Sequence, residues 1–279
     1  MRIDLHTHSN VSDGTDTPAE LMAKARQAGL DVVALSDHDT FDGLDQAAES
    51  AARQGIRLVP AMEMSAALNG SSVHLLAYGA DPTDAALSAE LTRVRQGRMG
   101  RVGAVLAKLA ALGLPLTEDD VMRQVGDSPS VGRPHIADAL VAAGYLADRR
   151  EAFDRYLSDT GPAHVERYAV DLASAIRLVA DAGGAAVIAH PWGRGSRDVL
   201  TRDTLRSLAS QLPLAGLEVD HQDHTHEQRT QLRRLTRDLG LLATGSSDFH
   251  GDGKTDHDLG CNTTESAVFE QLMARCGLA

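Results

Sequence analysis

The chain has 279 residues, 43% of them apolar but only 3% aromatic, and a formal net charge of −12 at pH 7. That length suits a single α/β barrel with a core of Leu, Val and Ala, while the acidic balance argues against a chain-wide basic surface for duplex DNA. Two cysteines, Cys261 and Cys276, are too few for a disulfide framework; with no signal peptide and no apolar run of membrane-spanning length, the expectation is a cytoplasmic protein with no membrane partner.

In chain order, the first apolar stretch, residues 3–5, ends in His6-Thr7-His8, with Asp13 five residues on. Side chains alternate in an extended segment, so the two imidazoles leave it on one side. Thr17-Pro18-Ala19-Glu20 reads as a capping box opening a helix that stops at Gly29. Residues 30–35 form a β-rich run ending in Ser36-Asp37-His38-Asp39, followed by a helix over 43–54 and a short strand over 56–59 that precedes Glu63. Residues 73–78 are the next strand, with His74 inside it.

From about residue 84 to 162 the β/α alternation lapses. Helical patterns cover 85–112, 117–125, 134–143 and 148–157, and arginines stand at 93, 95, 98, 101, 123 and 133. This stretch reads as a helical insertion, with residues 1–83 and 163–279 forming the barrel around it. The alternation then resumes: a helix from Asp171 to Asp181, a strand over 185–189 ending at His190, and a helix over 201–211. A strand over 216–219 reaches Asp220-His221, a helix covers 227–239, and a strand over 241–244 runs into Ser247-Asp248-Phe249-His250. The expected fold is therefore α/β, a distorted (β/α)7 barrel with a helical insertion.

His6, His8, His38, Glu63, His190, His221, Asp248 and His250 all fall at or just past the C-terminal ends of these strands. In a β/α barrel that rim is where the active site is built. Imidazoles and carboxylates together suit Zn, Mn or Fe, so the pattern points to a metal centre rather than to scattered surface histidines.

Four pieces, Asp4-Leu5-His6-Thr7-His8 with Asp13, Ser36-Asp37-His38-Asp39, Glu63 with His74, and Ser247-Asp248-Phe249-His250, resemble the PHP family, the polymerase and histidinol phosphatase superfamily of metal-dependent phosphoesterases. The resemblance spans nearly the whole chain and implies two or three divalent ions of uncertain identity. One would be held by His6, His8, Glu63 and Asp248, a second by Asp13, His38 and His250, and a third by Glu63, His74 and His190. Many family members have histidine where Asp13 stands, and a carboxylate there adds negative charge. The implied reaction is phosphate-ester hydrolysis by a metal-bridging hydroxide, with His221, Asp248 and His250 as catalytic residues.

Within the insertion, Gly132-Arg133-Pro134-His135 resembles the branch that includes nucleoside bisphosphate phosphatases and 5′-to-3′ RNA-trimming enzymes. Arg133 can hold a phosphate in bidentate fashion at a helix start, so Arg133, His135 and His221 are the expected phosphate contacts. The expected substrate is a small phosphorylated nucleotide, with short RNA 5′ ends as the alternative; histidinol phosphatase and a non-catalytic metal-stabilised module fit less well. His224 and His226 read as a surface helix start, His164 and His257 as ordinary loop residues, and Trp192 as packing. Asp37 and Asp39 read as residues that orient ligands. Oligomeric state is not legible.

Overall fold

The computed structural model of the protein describes all 279 residues. Strand β1 (Ile3–Thr7) is followed by α1 (Pro18–Gln27), β2 (Val32–Leu35), α2 (Leu44–Gln54), β3 (Arg57–Leu68) and β4 (Ser71–Tyr78). After the insertion come β5 (Val170–Asp171), α8 (Leu172–Asp181), β6 (Ala185–Ile188), α9 (Arg202–Gln211), β7 (Leu214–Asp220), α10 (His226–Leu239), β8 (Leu242–Gly245) and α11 (Ser266–Arg275); the insertion carries α3 to α7. The capping box of α1 forms as its sequence requires, with the Thr17 side chain accepting from the Glu20 amide while the Glu20 carboxylate accepts from the Thr17 amide.

Seven strands pair in the order β1-β2-β3-β4-β6-β7-β8, with β5 added beside β3. The sheet curls until β1 meets the segment after β8, where the His8 amide donates to the Phe249 carbonyl at 2.8 Å. The expected all-parallel alternation is broken once. β3 and β4 form an antiparallel hairpin, and β4 also runs against β6. The turn is Asn69-Gly70, both with positive φ, 50° and 81°. That pair of left-handed residues matches the right-handed twist of a hairpin.

The hairpin also changes where Glu63 sits. β3 pairs with β2 only as far as Pro60 opposite Leu35, then continues paired with β4 to Leu68. Glu63 therefore lies inside a strand, not after a short one. It stands beyond the parallel section, bridging to His38, so it still faces the rim.

The helix expected over 85–112 is two helices, α3 (Ala85–Gly100) and α4 (Val102–Ala111). Glycines at 97, 100 and 103 weaken helix formation here, and Gly97 is pressed so close to Tyr168 that a Cβ would lie 2.9 Å from the tyrosine Cβ. Leu87 and Leu91 of α3 join the barrel core with Val73 and Ile176. A separate core, including Val105, Leu109, Ile136, Leu140 and Leu157, unites α4, α5 (Glu118–Val125), α6 (Arg133–Ala142) and the π-helical turn Phe153–Leu157 that follows α7 (Arg149–Ala152). No helix is long and apolar enough to cross a membrane.

Candidate metal centre

The rim residues converge. His6 Nε2 lies 3.3 Å from Glu63 Oε2 and 3.4 Å from Asp248 Oδ1. His8 Nε2 lies 3.2 and 3.5 Å from the same two oxygens, and the two Nε2 atoms are 3.0 Å apart. Four donors bound tetrahedrally to one ion would stand about 3.3 Å from one another. Glu63 Oε2, Asp248 Oδ1 and His38 Nδ1 are also buried with no hydrogen-bond partner, an arrangement that is costly unless a cation completes it. The donor set fits a divalent metal.

Two further groups flank this one. Asp13 Oδ1 is 3.4 Å from His250 Nε2, and Asp13 Oδ2 is 3.6 Å from His38 Nε2; with His8 these make one compact group of potential ligands. On the other side Glu63 Oε1 is 2.9 Å from His74 Nδ1 and 3.2 Å from His190 Nε2. His38 also reaches this side, its Nδ1 3.2 Å from Glu63 Oε2. Every residue of the three expected ligand sets is thus brought into one cluster, with Glu63 shared.

The backbone is bent to make it. Asp39, His190 and Asp248 have φ of 57°, 29° and 55°, conformations that non-glycine residues adopt at a cost of order 1–3 kcal/mol and that gather at functional sites. Asp13 is carried by a tight turn in which the Ser12 and Gly14 amides both donate to the Ser9 carbonyl. A Cβ on Gly14 would lie 2.5 Å from the His8 carbonyl oxygen, so only glycine fits. Asp37 ties this turn down, accepting from the Ser9 amide, the Ser9 hydroxyl and the Ser12 hydroxyl. Asp39 accepts from Ser65 and from Arg98.

The sequence reading passed over several residues that orient the ligands. Glu218, wholly buried in β7, accepts from His6 Nδ1 at 3.0 Å and from the His190 amide at 2.8 Å. Asp4 accepts from the Ser247 and Gly260 amides and so anchors the segment carrying Asp248. Arg194 and Lys254 both donate to Asp248 Oδ2, leaving Oδ1 for the histidines. Lone charged residues in loops after β6 and β8 carry no sequence pattern. Glu218 was findable, because it stands three residues before His221 in a strand aimed at the same rim.

Burial alone would lower the pKa of His6 and His8, but neighbouring carboxylates outweigh it. Glu63, Asp248 and Glu218 hold His6 well above its ordinary range, and Asp248 and Glu63 raise His8 to about 9. Burial, reinforced by nearby cations, pushes His190 down to about 3 and His250 to about 4. Metal-free, the cluster retains protons at His6 and His8, where the carboxylates concentrate negative charge.

His221 is completely buried. Its Nδ1 accepts from the Asp223 amide at 3.0 Å, so its Nε2 carries the proton and donates to Asp248 Oδ2 at 3.1 Å. Both ring nitrogens are engaged by the protein, which suits orienting Asp248 better than touching a substrate. His257, expected as an ordinary loop residue, instead groups with His221 and Asp248. His224, expected near the surface, is buried and ties the Trp192 amide to the Val219 carbonyl; Trp192 itself packs in the core.

In the insertion, His135 is buried and its Nδ1 accepts from the Gly132 amide, closing the start of α6. It stands near enough to Asp13 for that carboxylate to oppose the burial that lowers its pKa. Arg133 pairs with Asp159 at 2.5 Å and with the Leu157 carbonyl at 2.9 Å, outside the metal cluster. Arg149 links the insertion to the barrel, donating to the Asp13 carbonyl and clamping Asp138.

A curled β/α sheet with a buried His/Asp/Glu cluster at its rim defines a metal-dependent hydrolase, and the comparisons with known proteins agree. A family model described as PHP domain matches residues 4–96. The chain is 35% identical to a 3′,5′-nucleoside bisphosphate phosphatase of Chromobacterium violaceum, over 92% of this chain and 90% of that protein. It is 33% identical to a 5′-3′ exoribonuclease of Haemophilus influenzae, over 89% and 90% respectively. A crystal structure described as a metal-dependent phosphoesterase from Bifidobacterium adolescentis superposes with a TM-score of 0.93 at 36% identity, covering 98% of this chain and 96% of that one. The chain belongs to the PHP family and is a metal-dependent phosphoesterase.

Proposed function

We propose that this enzyme hydrolyses phosphate esters of small nucleotides, a nucleoside 3′,5′-bisphosphate or a nucleoside monophosphate, in the cytoplasm. The observation that carries the reading is the tetrad of His6, His8, Glu63 and Asp248, with its two orphaned carboxylate oxygens, beside an arginine-bearing insertion. The likeness to the Chromobacterium phosphatase over nine-tenths of both chains supports it.

We assign the ligands of two or three Mn, Zn or Fe ions to His6, His8, Asp13, His38, Glu63, His74, His190, Asp248 and His250. Such ions, when bound, supply Lewis-acid polarisation of the phosphate ester and an activated water nucleophile. The protein's own part is to aim and compensate. Glu218 takes the His6 Nδ1 proton so that Nε2 faces inward. His250 Nδ1 donates to the Asp248 carbonyl, turning its Nε2 toward Asp13. Arg194, Lys254 and His221 hold Asp248 from the far side. Arg133 and His135, from the insertion of residues 84–162 acting as a substrate-binding cap, receive the substrate phosphate.

Hydrolysis of short 5′-phosphorylated RNA is the second reading, favoured by the likeness to the Haemophilus exoribonuclease. One assay series separates them: phosphate or nucleotide release from adenosine 3′,5′-bisphosphate, AMP, histidinol phosphate and a 5′-phosphorylated oligoribonucleotide with Mn²⁺. The bisphosphate should give the highest kcat/KM. Preference for RNA moves the enzyme to the second reading. Preference for histidinol phosphate, or full activity after verified metal removal, overturns both.

A further inference from the structure

Four guanidinium groups meet where the insertion joins the barrel. Arg98 and Arg101 lie at the end of α3, Arg133 opens α6, and Arg167 lies in the segment leading to β5. The packing brings these elements together: a Cβ on Gly132 would lie 3.5 Å from Arg98 Nη1, and Gly97 abuts Tyr168. Their carboxylate partners are two. Asp39 is taken by Arg98, which also donates to the Ser65 hydroxyl, and Asp159 is taken by Arg133.

Arg101 and Arg167 are left over. Arg101 is only 9% exposed, yet no protein group accepts a hydrogen bond from it or pairs with it. Arg167 donates only to the neighbouring Tyr168 carbonyl. Burial and the charges of Arg167, Arg98 and Arg133 press the Arg101 pKa down, and burial and Arg98 do the same to Arg167. Arginine resists giving up its proton, so these guanidinium groups stay charged and their unused donors are open to an anion. In a chain of net charge −12, an excess of positive charge around a buried Arg101 is a local construction.

The place of this excess matters. Arg98 binds Asp39, the residue next to His38, and the charge of His74 helps hold down the pKa of Asp159, the partner of Arg133, so the arginines adjoin the His38/His74 end of the metal cluster. We infer that Arg101 and Arg167, beside Arg133, form a second anion pocket that holds the phosphate that is not cleaved, selecting nucleotides with two separate phosphate groups over monophosphates. A phosphate dianion presents several acceptors to the unused guanidinium donors and balances their excess charge. The inference rests on the phosphoesterase reading of the neighbouring cluster.

The test uses the full-length chain and Arg101→Gln, Arg167→Gln and Arg101→Lys, each checked by circular dichroism and metal content. On metal-loaded enzyme, the ratio of kcat/KM for adenosine 3′,5′-bisphosphate to that for AMP should fall roughly tenfold or more in each Gln variant, with partial recovery in Arg101→Lys. On metal-free protein, calorimetric titration with adenosine 3′,5′-bisphosphate should show binding to the parent that weakens by about the same factor in the Gln variants. Unchanged ratio and unchanged affinity overturn the pocket. If the parent cleaves no nucleotide, the functional reading falls, and the metal-free titration still decides whether the arginines bind the anion.

Discussion

The carboxylate of Glu218 and the imidazole of His6 meet at 3.0 Å, and that bond determines what the first histidine can do. With Nδ1 donating to Glu218, Nε2 is the nitrogen left to face Glu63 and Asp248 and to offer its lone pair to an ion seated among them. Ligand orientation from such partners typically contributes 10–100-fold in metal affinity or activity. Glu218→Gln should therefore lower metal affinity by about one to two orders of magnitude, with hydrolysis falling alongside. Chelator competition on folded variant protein measures this; unaltered affinity would remove Glu218 from the assembly.

The metal-free cluster should titrate on both sides of neutrality. His8 has a folded pKa of about 9 against an ordinary 6.5, so the stability it contributes is fully present below 6.5 and is lost as pH rises through 9. His190 and His250 are depressed to about 3 and 4, so their contribution is present above 6.5 and is lost as pH falls below it. Chelated protein should melt highest near pH 6.5 and lose stability on both flanks. Metal uptake at pH 7.5 should release at least one proton per chain, because the ion takes the place of the proton on His8. Calorimetry in buffers of different ionisation enthalpy reads that number directly, and a value of zero contradicts the assignment.

Arg133 stands outside the ligand cluster, held by Asp159 and the Leu157 carbonyl. Its replacement should spare metal loading. Arg133→Gln is expected to raise KM for phosphorylated nucleotides roughly tenfold, the scale of one lost charge-assisted hydrogen bond, with metal content intact. Kinetics and metal analysis on the same preparation check it; an unaltered KM refutes the phosphate contact.

Arg98 and Asp39 form a buried pair at 2.8 Å, with Asp39 fully enclosed. Removing one partner of such a pair leaves a buried charge alone, at a cost of about 3–5 kcal/mol. Arg98→Met should lower unfolding stability by about that amount in urea. A loss within experimental error would mean that Asp39 finds another partner or a proton.

All histidines of the site but His74 were legible because they recur at strand ends, a pattern that survives errors of a few residues in the boundaries; His74, inside its strand, was marked only by the family resemblance. Glu63 was legible as a rim residue although its strand was cut short at residue 59. The hairpin that lengthens it was written in Asn69-Gly70, but the run after that pair opens on Ser71-Ser72, and the β/α rhythm around it suggested parallel strands. Arg194 and Lys254 were not legible as site residues. Their meaning comes from what stands across the rim, and single charges advertise no such partner.

The closure of the sheet has a consequence for how the molecule comes into being. β1 and the residue just after it carry the first two histidines, and their neighbours at the closure are Phe249 and Ser247, the latter donating to Asp4 across a sequence separation of 243. The tetrad cannot exist until the segments that carry His6 and Asp248 have both been made and the sheet has closed. Until then His6 and His8 wait at the end of a strand whose second edge is bare. Metal capture is thereby an event of the closed sheet, and an ion seated in that tetrad joins two segments far apart in sequence, as a fastening applied after the ring is drawn closed.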